Sequence, residues 1–129
     1  FLKANHDKKN LLIGQKYVQA GLYLSSKNIE NSIKIYEEII YSKNKFYSIL
    51  ALNTILEENL VSDDKKILEY FKIVEEANKS KKEQIDLITL KKALYLKKIK
   101  KNKEGDILLN NLIDNESKFK NIAEEIIAK

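Results

Sequence analysis

The sequence predicts an all-α fold of about seven helices, stacked as antiparallel hairpins. Its 129 residues contain no proline and three glycines, and no polar spacer interrupts them, so nothing divides the chain 1–129 into separate domains. Apolar residues recur at i, i+3 and i+4 over most of the length, the period of one-sided helices. Near the start, Ala20 and Ser32 lie twelve residues apart and Tyr23 and Tyr36 thirteen. That spacing lays a small pair and an aromatic pair across one hairpin. A chain of this size buries a moderate core.

The first helix is predicted from about Lys8 to Leu24, with Asp7 as its N-cap. Ser25 to Asn28 forms a turn, and Asn28 is placed to cap a second helix from Ile29 to Tyr41 by accepting from its first N–H groups. Ile29, Ile33, Tyr36 and Ile40 give that helix one narrow apolar stripe. The third runs from about Lys45 to Leu60. Ser62 or Asp63 caps the fourth, Asp64 to Ala77, whose stripe is Ile67, Tyr70, Phe71 and Val74. Ser80-Lys81-Lys82-Glu83 has the pattern of a capping box and opens a fifth helix, Lys81 to Ile99. A turn over Lys100 to Glu104 leads to a sixth, through Leu108 and Leu112 to Ile113. Asn115 or Ser117 begins a seventh, whose apolar side at Ile122 to Ile127 lacks a helix after it.

Helices three and five carry apolar residues around most of the wheel, whereas two and four carry narrow stripes. The first kind is predicted to lie inside and the second outside, the alternation that a right-handed superhelix of hairpins requires. Ala20, Ala51 and Ala93 align as equivalent positions, with separations of 31 and 42 residues. The hairpin spacing returns at Ala93/Gly105 and Leu96/Leu109, while the middle unit departs from it. A fixed repeat is therefore absent.

The Ala20/Tyr23 and Ser32/Tyr36 arrangement resembles the tetratricopeptide (TPR) hairpin, without its early Trp and terminal Pro. The order of Tyr17-x-x-Ala20, the Tyr47-Ser48-x-Leu50-Ala51-Leu52 helix, the acidic turn Asp63-Asp64 and Leu87-x-x-Leu90-x-x-Ala93-Leu94 is similar to a bacterial membrane-anchored TPR-like family. That family includes the ancillary subunit of the Sec translocon. The resemblance implies a TPR-like superhelix on the periplasmic side of the inner membrane, tethered by an N-terminal helix upstream of Phe1-Leu2, with further helices after Lys129. It implies protein partners, the translocon or periplasmic folding factors and chaperones, and no catalytic residues. A cytoplasmic helical-repeat adaptor, or the non-catalytic domain of a larger enzyme, fits the same helices.

Composition narrows the chemistry. All 24 basic residues are lysine, and Lys, Asn and Ile make up 55 of the 129 residues, which reads as the nucleotide bias of a bacterial genome. Arginine's bidentate fork is therefore missing, which argues against sequence-specific nucleic-acid recognition. Without cysteine there is neither a disulfide nor a thiol nucleophile. No run of about 18 apolar residues spans a membrane.

No residues are predicted to be catalytic, to bind a cofactor or to ligate a metal, and no small-molecule substrate is evident. His6, the one histidine, sits in a polar stretch without partners. The carboxylate pairs Glu37-Glu38, Glu57-Glu58, Glu75-Glu76 and Glu124-Glu125 diverge by roughly 100° on a helix and read as solvated faces. Asp63-Asp64 suits a helix N-terminus. Tyr23, Tyr36, Tyr70 and Tyr95 read as core. On the TPR template, Gly14, Tyr17, Gly21 and Leu24, with Ser48, Leu52 and Ile55 in the middle unit, face a partner-binding groove. From Lys79 to Lys103 ten lysines stand against two acids. Lys91, Lys92, Lys97, Lys98, Lys100 and Lys101 are thus a candidate basic surface for anionic membrane headgroups or an acidic partner.

Overall fold

Most helices here are joined by breaks of a few residues, and five of the breaks share one geometry. The computed structural model describes residues 2–129; Phe1 and the Leu2 side chain, where the trace of an upstream apolar segment was expected, lie outside the described residues. The helices are α1 (Leu2–Ser25), α2 (Ile29–Tyr41), α3 (Lys45–Glu57), α4 (Asp64–Ala77), α5 (Lys82–Lys98), α6 (Asn102–Asp114) and α7 (Lys120–Ala128). No strand occurs among the described residues, and no helix there is long and apolar enough to cross a membrane.

Lys27, Lys43, Asn59, Lys100 and Glu116 each take a left-handed conformation, with φ between 50° and 69°. Each follows a helix C-terminus. Around Lys27, the Asn28 N–H donates to the Tyr23 carbonyl and the Lys27 N–H to that of Leu24. The same pair of bonds closes the turns at Asn59, Lys100 and Glu116, satisfying carbonyls the helix leaves bare. Glycine is the usual residue there because a Cβ costs roughly 1 kcal/mol in this region. Lys27→Gly and Lys100→Gly are each expected to stabilise by about 0.5–1 kcal/mol, read as a higher urea midpoint at unchanged slope.

Helix starts differ from expectation in four places. Asp7 lies inside α1, because Lys3 and Ala4 favour helix and nothing before Asp7 breaks it. Asn28 holds the N-cap position of α2, but its side chain makes no capping bond; its carbonyl accepts from Ser32 N–H instead. Ser80 does not form a capping box. The N-cap is Lys81, whose N–H closes a turn on the Asn78 carbonyl, leaving Ser80 one residue too early. The α6 helix begins at Asn102, inside the predicted turn, since the left-handed Lys100 completes the reversal alone. Asp63 does cap α4, its Oδ1 accepting from the N–H groups of Lys65 and Lys66 at 3.0 and 3.4 Å. Ser117 accepts from Phe119 N–H at 3.1 Å ahead of α7, and α3 stops at Glu57 because Asn59 turns the chain.

The described residues form two compact units, divided between Ala77 and Asn78. In the first, α1 packs on α2, α2 on α3 and α3 on α4, while α1 also touches α3 and α2 touches α4. Ala20 and Ser32 are fully buried, as are Ile39, Ile40, Ala51, Phe71 and Val74. The α2 helix is therefore not an outer helix. Its stripe is narrow, yet Ser32, Tyr36, Ile39 and Ile40 sit among three neighbouring helices.

In the second unit α5 packs on α6 and α6 on α7. Leu90, Ala93, Leu109, Leu112 and Ala123 form the core, with Ile113, Phe119, Ile126 and Ile127 packed against it. The last helix thus spends most of its apolar side within this unit, and only Ile122 remains largely exposed. Gly105 is buried in α6. A Cβ there would stand 3.0 Å from the carbonyl oxygen of Ala93, so the Ala93/Gly105 pair is a close contact of two backbones.

Candidate functional site

The most informative surface of the first unit lies where α1 meets α3. Asn10, Gly14, Tyr17, Gly21 and Leu24 recur at i, i+4, i+7, i+11 and i+14 and share one face of α1. At the start of the seam, Asn44 Nδ2 donates to Asn10 Oδ1 at 2.6 Å. The Asn44 Oδ1 accepts from Tyr47 N–H at 2.9 Å, so one side chain both caps α3 and ties it to α1. One turn on, Tyr47 lies on Gly14, where a Cβ would meet its hydroxyl oxygen at 2.8 Å. A side chain at this position would oblige the hydroxyl end of Tyr47 to shift.

Further along, the Tyr17 ring centroid stands 5.9 Å from Tyr36 and 5.9 Å from Tyr47. Its hydroxyl is 3.3 Å from Thr54 Oγ1. Phe46 extends the aromatic strip, 4.9 Å from Tyr47 and 62 % exposed. At Gly21 the seam opens, and an added Cβ would meet nothing within 4 Å. Burial holds the Tyr36 hydroxyl above the usual phenol range, with Tyr17 and Glu58 adding to it and a Thr54 hydrogen bond opposing it.

Among the residues the sequence suggested for a groove, Gly14, Tyr17, Gly21 and Leu24 are half-buried on this seam. Ser48, Leu52 and Ile55 are enclosed, at 0, 3 and 0 % exposure, and Ser48 Oγ has no hydrogen-bond partner. The seven positions do not share one open face. Tyr36 meets Tyr17 edge-on, where Tyr23 was expected; Tyr23 is half-buried elsewhere on α1. Sequence reasoning missed Asn10, Asn44, Phe46 and Thr54. Only Asn44 carried a signal, an asparagine one residue before an apolar helix.

A second polar group links α2 to α4. The buried Tyr70 hydroxyl donates to Glu37 Oε2, and Lys66 Nζ lies 3.1 Å from the same oxygen. Tyr41 donates to Glu69 Oε1 at 3.3 Å, its ring 6.3 Å from that of Tyr70. Glu37 is thus a structural acceptor, not a solvated charge. Burial, then the hydrogen bond to Glu37, pushes the Tyr70 hydroxyl far up; burial and Glu69 raise Tyr41.

A raised folded-state value means that the folded chain keeps protons which the unfolded chain gives up above about pH 10. This contribution to stability is complete below that pH and is lost as pH rises further. Melting temperature should accordingly fall above about pH 10. Tyr70→Phe should lower stability by about 1–2 kcal/mol at neutral pH and flatten the alkaline limb. Thermal melts from pH 8 upward, with phenolate absorbance in parallel, check both.

The six candidate basic residues divide by role. Lys97 forms an ion pair with Asp106 at 2.7 Å, and its stem covers Gly105. Lys100 and Lys101 are exposed in the α5–α6 turn, Lys98 is exposed, and Lys91 and Lys92 are half-buried. On α5, Leu87, Lys91, Leu94 and Lys98 follow one another at i, i+4, i+7 and i+11, with Leu94 46 % exposed. The charge balance is uneven between the units. Up to Ala77, eleven lysines meet eleven acids, so the formal +5 falls entirely on Asn78–Lys129, with thirteen lysines and eight acids. His6 lies on the surface of α1, 3.2 Å from Asn10 Nδ2.

Comparison of the chain with protein-family models, with curated proteins and with solved structures finds no match.

Proposed function

We propose that this chain is a non-enzymatic protein-interaction module, with the open end of the α1–α3 seam as its contact site. The observation that carries this reading is the bare backbone at Gly21, beside half-buried Tyr17 and Leu24. A partner segment can approach a Cα surface closely there while hydroxyl groups supply hydrogen bonds. Stacked helix pairs commonly serve as binding surfaces. A photo-crosslinking residue at Leu24 is expected to capture a partner in cells, and Gly21→Leu is expected to abolish the adduct while leaving the helical signal unchanged. An adduct that survives Gly21→Leu would overturn the site. The envelope form of this reading is a TPR-like domain tethered to the inner membrane, with translocon or folding-factor partners in the periplasm. It rests on the resemblance of helix order alone, and the identity of the captured protein decides between it and a cytoplasmic adaptor.

A second reading is favoured by the charge of Asn78–Lys129. Leucine and lysine alternate on the outer face of α5, a pattern suited to an anionic membrane surface. Vesicles containing phosphatidylglycerol should bind the chain in low salt, and Lys98→Gln with Lys101→Gln should weaken that binding. Equal binding to neutral vesicles would sink the idea.

A further inference from the structure

We propose that the segment entering the open end of the α1–α3 seam is cationic and sets a lysine or arginine side chain against Glu58. The inference rests on that end of the seam being the contact site, and adds the chemistry of what it takes. The two helices run in the same direction along the seam, Asn10 meeting Asn44, Gly14 meeting Tyr47 and Tyr17 meeting Thr54. One turn further, that register brings Gly21 to the level of Glu58, which follows Thr54 at i+4 on one face of α3. The Glu58 N–H donates to the Thr54 carbonyl, so the turn between them is helical. Its carboxylate stands near enough to Tyr36 to help hold that hydroxyl above the usual phenol range.

Charge names the occupant. From Tyr17 to Ser26 there is no charged residue, and from Phe46 to Glu58 only Glu57 and Glu58. A chain with 24 lysines thus brings none of them to the open end along either helix. Both glutamates are exposed, and neither makes an ion pair among the described residues. They also stand at the carbonyl end of α3, where negative charge is disfavoured. In α2 the comparable pair is answered within the chain, Glu37 by Lys66 and Glu38 by Lys16. At the end of the seam the answering cation is left to the partner. A lysine ammonium has three donors and no acceptor, which suits a carboxylate with the Tyr17 and Thr54 hydroxyl oxygens one turn back. Its methylene stem can lie along the bare backbone at Gly21, as lysine stems do on apolar surface. A phosphate or an acidic side chain would meet like charge there.

A random peptide library displayed on phage, panned on the whole chain and counter-selected on its Gly21→Leu variant, isolates peptides that need the open seam. Those peptides are expected to carry a lysine or arginine beside an apolar residue. Binding of the best of them, as a synthetic peptide, should weaken at least about tenfold in Glu58→Lys and less in Glu58→Gln. It should also weaken between about 50 and 500 mM salt. Glu58→Lys places a cation at the carbonyl end of α3, so its urea midpoint should hold or rise while binding falls. That opposition separates a lost contact from a lost fold. Seam-dependent peptides that are neutral or acidic, or that bind Glu58→Lys as tightly as the parent, overturn the cationic partner and leave the seam standing. A library that yields no peptide sensitive to Gly21→Leu overturns the seam reading itself, and this inference with it.

Discussion

Replacing Tyr36 by alanine should cost the first unit about 3–5 kcal/mol, the range of large aromatic truncations in closed cores. Tyr36 is 2 % exposed and projects from α2, the helix that touches α1, α3 and α4. It meets the Tyr17 ring edge-on at 5.9 Å, a contact worth about 0.5–1.5 kcal/mol beyond area. Truncation removes the volume on which α1 and α3 both rest, and the cavity lies between three helices that cannot all close on it. Tyr36→Phe keeps the ring and should cost only about 1 kcal/mol through the lost hydroxyl. Urea unfolding followed by the helical circular-dichroism signal gives the comparison. An alanine variant within about 1 kcal/mol of the parent would mean that Tyr36 is not the keystone described. Because Tyr17 leans on Tyr36, the alanine variant should also loosen the seam, reducing crosslinking from Leu24 even where the chain stays folded.

How far such a keystone is legible in a sequence depends on what periodicity encodes. The stripes of α2 and α4 located those helices to the residue, because each has a single apolar face that starts just after a polar residue at the N-cap position, Asn28 for α2 and the capping Asp63 for α4. The spacing of Ala20 and Ser32 likewise marked the level at which α1 crosses α2. It did not report the rotation of a third helix. Tyr17 and Tyr23 occupy different faces of α1, and only the arrival of α3 beside Gly14 selects Tyr17 as the ring that meets Tyr36. A narrow stripe also looked like an outer helix, although large residues on that stripe let α2 serve three neighbours.

The helix ends were hidden for a separate reason. Lysine, asparagine and glutamate fill left-handed positions that glycine would have advertised, so α3 and α6 have boundaries that composition does not announce. On the candidate site, the TPR template put Gly14, Tyr17, Gly21 and Leu24 together, and they share one face of α1. The enclosed Ser48, Leu52 and Ile55 were not, since burial of α3 depends on its neighbours and not on its own pattern.

The α5–α6 hairpin offers the sharpest test of packing, since its sequence spacing matches that of α1–α2 while its geometry does not. Ser32 and Gly105 each lie twelve residues after a buried alanine. At Ser32 the structure accepts a whole side chain, whose Oγ donates to the Ile29 carbonyl at 2.7 Å. At Gly105 even a Cβ would stand 2.8 Å from Lys97 Cγ and 3.0 Å from the Ala93 carbonyl oxygen. Helix propensity alone favours Gly105→Ala by about 1 kcal/mol. The overlap opposes it by about 1–3 kcal/mol, because the carbonyl belongs to the α5 backbone and cannot turn aside. The expected balance is a net loss of about 1 kcal/mol for alanine and 3 kcal/mol or more for leucine, which must push α6 off α5. The Lys97–Asp106 pair should break with it, since the Lys97 stem runs over Gly105. A second substitution separates the two obstacles. Lys97→Ala in the Gly105→Ala background removes the side-chain overlap and leaves the backbone one. Only partial recovery is expected, and full recovery would show that the helices themselves have room for a Cβ.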